Sequence, residues 1–523
     1  MSDKFVCAVD VGTGSARAGI FDRGGTLLGR AEHPIRLNQP LPDHAEHSSD
    51  DIWSAVCNSV RAALSKAGVA AAAVSGIGFD ATCSLVVRDE GGAPLSISTT
   101  GDEQWDTMSW FDHRALAEAD ECTATRHEVL NYIGGVMSPE METPKLMWLK
   151  RNLPQTWQRA RHFFDLADFL TWRASGSNQR SQCTLTAKWT YLAHEHSWRR
   201  DFFEQVGAPD LLSQGGLPDD VAPIGAGVGF LTAAAAEELG LTTGCAVSSG
   251  LIDAYAGMIG VVGGHAGEEV DRHLALIAGT SSCVMAFSNE ARFVPSVWGP
   301  YFGAALPGYW LSEGGQSATG ALLDHIIRWH AKGGEPNAER HGAITRRVLE
   351  LRAEDPAFGS DLHVLPDFHG NRSPLAEPHA RGVISGLTLD SSFDSLCKLY
   401  WRSCVGIALG VRHILDHMNE NGYRIDKLHV TGGHTKNPLL MELYADATGA
   451  TVIESETEDA VLLGSAMIAA AAAGWHPDLA TACRQMHRPE RSRIPNPAMQ
   501  HAYDQDYRIF LAMHRHQQEI LGA

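Results

Sequence analysis

Strands that alternate with helices, in a chain whose two halves open alike, predict an α/β protein built from two related domains. Two observations carry this. An apolar run, residues 5–9, feeds the glycine–hydroxyl turn Asp10-Val11-Gly12-Thr13-Gly14. A second apolar run, His273–Ala278, feeds Gly279-Thr280-Ser281-Ser282, a turn of the same kind. With 523 residues the chain has length for roughly two to four domains.

The elements follow in order. Residues 5–9, 18–21 and 26–34 read as successive strands, with Asp22-Arg23-Gly24-Gly25 turning between the second and third. Residues 50–67 carry Ile52, Val56, Val60 and Leu64 at helical spacing. Residues 74–79 form an apolar strand that ends at Asp80, and residues 85–88 form another before the turn Asp89-Glu90-Gly91-Gly92. The glycine-rich break at 263–267 divides the chain into residues 1–264 and 265–523. Beyond it, 273–278, 284–287 and 428–430 read as strands; 316–330, 391–421, 439–448 and 457–473 read as helices.

Bulk properties exclude several classes. Forty-two basic against 62 acidic residues give a net charge of −20, which disfavours nucleic acid or an anionic membrane as partner. None of the ten cysteines is spaced Cys-x-x-Cys, so the thiols read as reduced and buried, as in a cytoplasmic protein. No basic, then apolar, leader opens the sequence, and the longest apolar run, 466–474, is too short to span a bilayer. Gly-x-x-x-x-Gly-Lys-Ser/Thr, His-Glu-x-x-His and Gly-x-Ser-x-Gly are absent, and the 25 histidines show no metal-ligand spacing.

The candidate sites each have a dull alternative. At Asp10–Gly14 the glycines permit close backbone approach, turn N–H groups and Thr13 can cradle phosphate, and Asp10 can hold Mg²⁺; an ordinary hairpin turn has the same look. Gly279, Thr280 and Ser281 offer a second such turn, and a nucleotide clamped between two domains needs one from each. Gly432 and Gly433, followed by Asn437-Pro438, let a flat adenine or ribose pack on bare backbone, or form a glycine turn capped by Asn437. Asp253 opens a helix-like run, either as a general base or as a first-turn acid. Asp80-Ala81, Trp110 with Asp112, Lys188 and Glu313 supply the aromatic and charged groups that a polyol needs, or serve as caps and surface charges. Glu142 and Lys145 flank Pro144 as a possible surface ion pair.

These pieces, in this order, resemble the FGGY carbohydrate kinases of the actin-like ATPase superfamily. Asp10–Thr13 resembles the family's first phosphate motif, Gly279–Ser281 its second, and Gly432-Gly433 with Asn437-Pro438 its adenosine motif. Asp253 falls at the place of the catalytic aspartate. Residues 132–149 and 370–387 are similar to the two family signatures. Gly78-Phe79-Asp80-Ala81-Thr82-Cys83-Ser84, Trp110–Arg114, Lys188-Trp189 and Glu313–Ser317 resemble the ribulokinase subgroup, nearer its D-ribulose branch; the Arg-Glu pair of glycerol kinases is missing. His434-Thr435-Lys436 departs from the small residues expected after the adenosine glycines.

The resemblance implies two actin-like (ribonuclease H-like) domains with a cleft between them. The sugar and phosphate site would lie on the first and the nucleotide site on the second. It implies ATP and Mg²⁺ as cofactors, a small sugar as partner and a cytoplasmic location, with a homodimer as the candidate assembly. The expected reaction is phosphorylation of D-ribulose to D-ribulose 5-phosphate. L-Ribulose, xylulose or erythritol are alternative acceptors. A catalytically inactive sugar- or nucleotide-binding regulator is the non-enzymatic alternative, and an actin-like chaperone is disfavoured by the sugar-site residues.

Overall fold

The computed structural model describes residues 4–267 and 269–522. Two seven-stranded sheets organise it. We number the strands of these sheets β1–β14 in chain order. The first sheet holds β1 (Phe5–Val11), β2 (Ser15–Phe21), β3 (Leu27–Pro34), β4 (Val74–Ala81), β5 (Gly227–Phe230), β6 (Ala246–Ser248) and β7 (Leu251–Ile252). Its order is β3-β2-β1-β4-β6-β5, with β7 also on β4. The second holds β8 (His273–Ala278), β9 (Ser282–Ser288), β10 (Trp298–Phe302), β11 (Trp310–Gln316), β12 (Lys427–Thr431), β13 (Thr451–Ser455) and β14 (Glu490–Arg493). Its order is β10-β11-β9-β8-β12-β13-β14.

The two sheets repeat one plan. In each, an antiparallel meander (β1-β2-β3; β8-β9-β11) is extended by two parallel strands (β4, β6; β12, β13) and closed by an antiparallel edge (β5; β14). The two glycine–hydroxyl turns therefore occupy equivalent places, at the β1–β2 and β8–β9 connections. Central strands β1 and β8 are buried almost throughout, which accounts for their continuous apolar sequence.

Helices Asp253–Val262 and Ala460–Ala472 fill the space between the sheets. They cross closely because both carry small residues: a Cβ on Gly464 would lie 1.9 Å from the Ala256 carbonyl oxygen, and one on Gly260 would lie 2.0 Å from that of Ala460. Helix Ala460–Ala472 belongs to the second half of the sequence yet lies on the first sheet, where the Ser465 carbonyl would meet a Cβ on Gly78 at 2.3 Å. Asp459 caps this helix by accepting from the Leu462 N–H. Packing in this position hands Asp459 and Ser465 to the site formed by the first sheet.

Boundaries moved where a strand outlasts its apolar run. Asp10 and Asp80 lie inside strands, not in the turns after them. Residues 316–330 divide into the end of β11 and a helix from Gly320 to Trp329. No helix among the described residues is long and apolar enough to cross a membrane.

Candidate active site

Three carboxylates line one edge of the first sheet. Asp10 on β1 pairs in register with Asp80 on β4, and Asp80 pairs with Leu251 on β7, two residues before Asp253. Asp10 and Asp80 are fully buried. Arg17 forms an ion pair with Asp10 and reaches Asp459 at 3.4 Å, while Ser465 Oγ donates to Asp80 at 2.5 Å. Apart from these partners, both oxygens of Asp10 and Oδ1 of Asp80 accept no hydrogen bond. Burial raises the pKa of Asp10 against the pull of Arg17, and burial and then the neighbouring Asp10 raise that of Asp80. Two buried carboxyls with orphaned oxygens form a donor set suited to a hard cation, so the residues fit Mg²⁺.

Asp253 begins its helix, and its Oδ1 accepts the Ala254 N–H at 2.7 Å. Burial raises its pKa, opposed by the Ala254 N–H, Arg17 and Lys188. Its chain neighbours link the carboxylate–arginine group to a second charged cluster: Leu251, two residues before it, pairs with Asp80, and Tyr255, two residues after it, donates to Glu313.

That cluster centres on Glu313 of β11. Arg372 Nη2 donates to Glu313 at 2.6 Å, Tyr255 Oη donates at 2.9 Å, and Lys188 Nζ lies 3.7 Å away. Lys188 and Arg372 also lie over the Trp298 ring, 4.2 and 4.3 Å from its centre. Burial alone would raise the pKa of Glu313, but Lys188 and Arg372 prevail and lower it. Glu142 and Lys145, expected as a surface pair, are fully buried 3.4 Å apart; burial raises Glu142 to about 7 despite Lys145.

The other predicted sugar-site residues are placed differently. Both oxygens of Asp112 are engaged by Arg114, and Oδ2 also accepts the Ala45 N–H at 2.7 Å, so this buried carboxylate anchors a loop. Trp110 donates from Nε1 to Thr13 Oγ1 at 3.0 Å and so braces the first phosphate turn. Asp80, with the buried Ala81 beside it, belongs with Asp10 and not with Glu313.

On the second sheet, Gly279 and the Gly432-Gly433 pair adjoin: a Cβ on Gly433 would lie 4.0 Å from the Gly279 Cα. The Gly279 carbonyl accepts from the Gly320 N–H at 3.0 Å and from His434 Nε2 at 3.0 Å. His434 Nδ1 must then accept from Tyr444 Oη, 2.7 Å away, which fixes the tautomer. The departure at His434 is thus a buried staple beneath the turn, leaving Thr280 and Lys436 exposed. Asn437 caps the helix Pro438–Asp446 by accepting the Leu439 N–H. Gly432 has φ of 90°, and a Cβ there would meet the Ala278 carbonyl oxygen at 2.5 Å. Gly432→Ala is expected to lower stability by about 1–3 kcal/mol, read as a fall in the urea midpoint.

Sequence reasoning missed Arg17, Tyr255, Trp298, Arg372, Asp459 and Ser465. Arg372 lies within a signature stretch and carried a signal; Arg17, three residues past the first glycine turn, and Ser465, in an alanine-rich helix, carried none. Histidines also cluster, against the expectation from spacing: His265, His429 and His487 converge on Glu490 from separate elements, and His273 lies against His265 and His429.

Family models cover most of the chain. Residues 5–260 match the N-terminal domain of the FGGY family of carbohydrate kinases, and residues 274–473 match its C-terminal domain. An FGGY carbohydrate kinase domain-containing protein of Danio rerio is 45% identical, covering 100% of this chain and 99% of that protein. A D-ribulokinase of Saccharomyces cerevisiae is 37% identical over 90% of this chain and 72% of its own length. A xylulose kinase structure from Rhodospirillum rubrum superposes with a TM-score of 0.82 at 23% identity, covering 99% of this chain and 100% of that one, which shows a shared fold.

Proposed function

This chain belongs to the FGGY family of carbohydrate kinases, with the two-domain actin-like ATPase fold and ribulokinase-like relatives, and from that premise we propose that it transfers the γ-phosphoryl group of ATP to D-ribulose, giving D-ribulose 5-phosphate. The observation that carries this reading is the place of Asp253 in the chain, two residues after Leu251, which pairs with Asp80 beside Asp10, and two residues before Tyr255, which donates to Glu313 of the buried Lys188–Glu313–Arg372 cluster. The yeast relative bears the D-ribulokinase name.

In this reading Asp253 takes the proton of the terminal sugar hydroxyl as that oxygen bonds to the γ-phosphorus and the bond to the β-phosphate oxygen breaks. Asp10, with Asp80 beside it, would hold Mg²⁺, which neutralises phosphate charge when bound. Arg17, the turn N–H groups at Gly12–Gly14 and those at Gly279–Ser281 orient the phosphates; Gly432, Gly433 and Asn437 form the nucleoside floor. Lys188 and Glu313 meet the sugar hydroxyls, with Trp110 over the phosphate turn. Positioning and charge neutralisation supply most of the catalysis. Residues 1–264 contribute Asp10, Arg17, Asp80, Lys188 and Asp253 to the sugar and phosphate site, and residues 265–523 contribute the nucleotide groups together with Glu313 and the Gly279–Ser281 turn.

A sugar-dependent ADP-release assay tests this with D-ribulose, L-ribulose, D-xylulose, erythritol and glycerol. D-Ribulose is expected to give the highest kcat/KM, by at least about tenfold over the rest. A higher value for another acceptor transfers the assignment to it. ADP release that no acceptor stimulates would point to the regulator instead.

A further inference from the structure

Five ligand-bearing side chains meet where the two halves of the chain join, away from the carboxylates that face the substrates. His265 ends the short 3₁₀ turn after the Asp253–Val262 helix. His273 opens β8 and His429 lies on β12. His487 follows the helix Leu479–Met486, and Glu490 opens the edge strand β14. We infer that His265, His487 and Glu490, backed by His429 and His273, bind one divalent transition-metal ion of the zinc class.

The distances support a tight ligand set. His265 Nε2 lies 3.0 Å and His487 Nε2 3.3 Å from Glu490 Oε1, and the three ligand atoms lie within 4.8 Å of one another. Ligand bonds of about 2.0–2.1 Å in a tetrahedral site put neighbouring ligand atoms about 3.3 Å apart. His429 Nδ1 approaches the same carboxylate oxygen at 3.6 Å. It is buried and has no hydrogen-bond partner within range. The other nitrogen of His429 faces His273 Nδ1 at 2.7 Å, the kind of outer contact that orients a ligating imidazole.

Ligand chemistry selects the ion. Imidazole nitrogens with a single carboxylate suit zinc, cobalt or nickel, whereas Mg²⁺ prefers an all-oxygen shell. His273 and His429 are buried, while His265, His487 and Glu490 keep side-chain exposures of 26%, 24% and 17%, an open route for an ion. The backbone accommodates the set: a Cβ on Gly264 would meet the His487 ring nitrogen at 2.5 Å. An ion here would pin the connector between the halves to the edge of the second sheet.

The test uses the full chain, stripped with a chelator, dialysed, and titrated with Zn²⁺ or Co²⁺. One equivalent of Zn²⁺ is expected to bind and raise Tm, and Co²⁺ is expected to give visible absorption of tetrahedral type. Loss of one outer partner typically weakens a metal site about 10–100-fold, so His265→Ala/His487→Ala should weaken binding by more than about 100-fold. Glu490→Gln keeps an oxygen acceptor for the histidine N–H groups and serves if the double variant does not fold; it should weaken Zn²⁺ at least about tenfold. Failure of the wild type to bind Zn²⁺ overturns the inference, as does binding by the folded variants as tight as wild type. Because the readouts are stoichiometry, spectrum and Tm, a negative result leaves the kinase reading untouched.

Discussion

Asp253→Asn is expected to lower kcat by at least about two orders of magnitude, roughly 2.7 kcal/mol in the barrier, while folding and ATP affinity stay near wild type. The substitution preserves shape. Asp253 accepts the Ala254 N–H through Oδ1, and an asparagine carbonyl oxygen can accept the same bond, so the start of the helix is kept. What is removed is the capacity to take a proton. Burial raises the pKa of Asp253 and makes it a better base, while the Ala254 N–H, Arg17 and Lys188 restrain that rise. Turnover from ADP release, with ATP affinity from calorimetry, separates the two effects. A kcat within about threefold of wild type would remove Asp253 from proton transfer.

Legibility in the sequence followed the range of each interaction. The bounds of β8 are legible in the sequence, because a central strand buried almost throughout writes itself as a nearly continuous apolar run. The strand–turn–strand echo was equally visible, since both turns need glycine and hydroxyl residues locally. Asp10 and Asp80 were placed outside their strands because a carboxylate breaks an apolar pattern; only the register pairing of β1 with β4 shows why both are tolerated there. Asp112 looked like a sugar ligand because its partners, Arg114 and the Ala45 N–H, come together only in the fold. Ser465 donates to Asp80 from a position 385 residues away, which no local pattern can report. The histidine cluster escaped for the same reason. Its members are spread from residue 265 to residue 490 and converge only when the edge strand β14 returns beside β13.

Glu313→Ala is expected to cost about 3–5 kcal/mol of stability, the scale for leaving a buried charge without its partner. Glu313 is 3% exposed, and it is the anionic partner of two cations, Arg372 at 2.6 Å and Lys188 at 3.7 Å. Removing the carboxylate leaves both cations over the Trp298 ring without their Glu313 counter-charge, and it takes away the acceptor of Tyr255 Oη. The pKa direction gives an independent check. The folded-state pKa of Glu313 lies below its ordinary value of 4.5, so its contribution is complete above pH 4.5 and is lost as pH falls through the lower, folded value. The urea midpoints of wild type and Glu313→Ala should therefore differ most near neutral pH and converge in acid. Lys188→Met in the Glu313→Ala background should recover part of the loss, because it removes one of the stranded charges; additive losses in that double variant would show that the two side chains are energetically independent. The cluster is costly to assemble, and Tyr255, two residues past the proposed base, donates to it, which fits the proposed role of presenting fixed charges to a polyol, with both cations lying over the Trp298 ring.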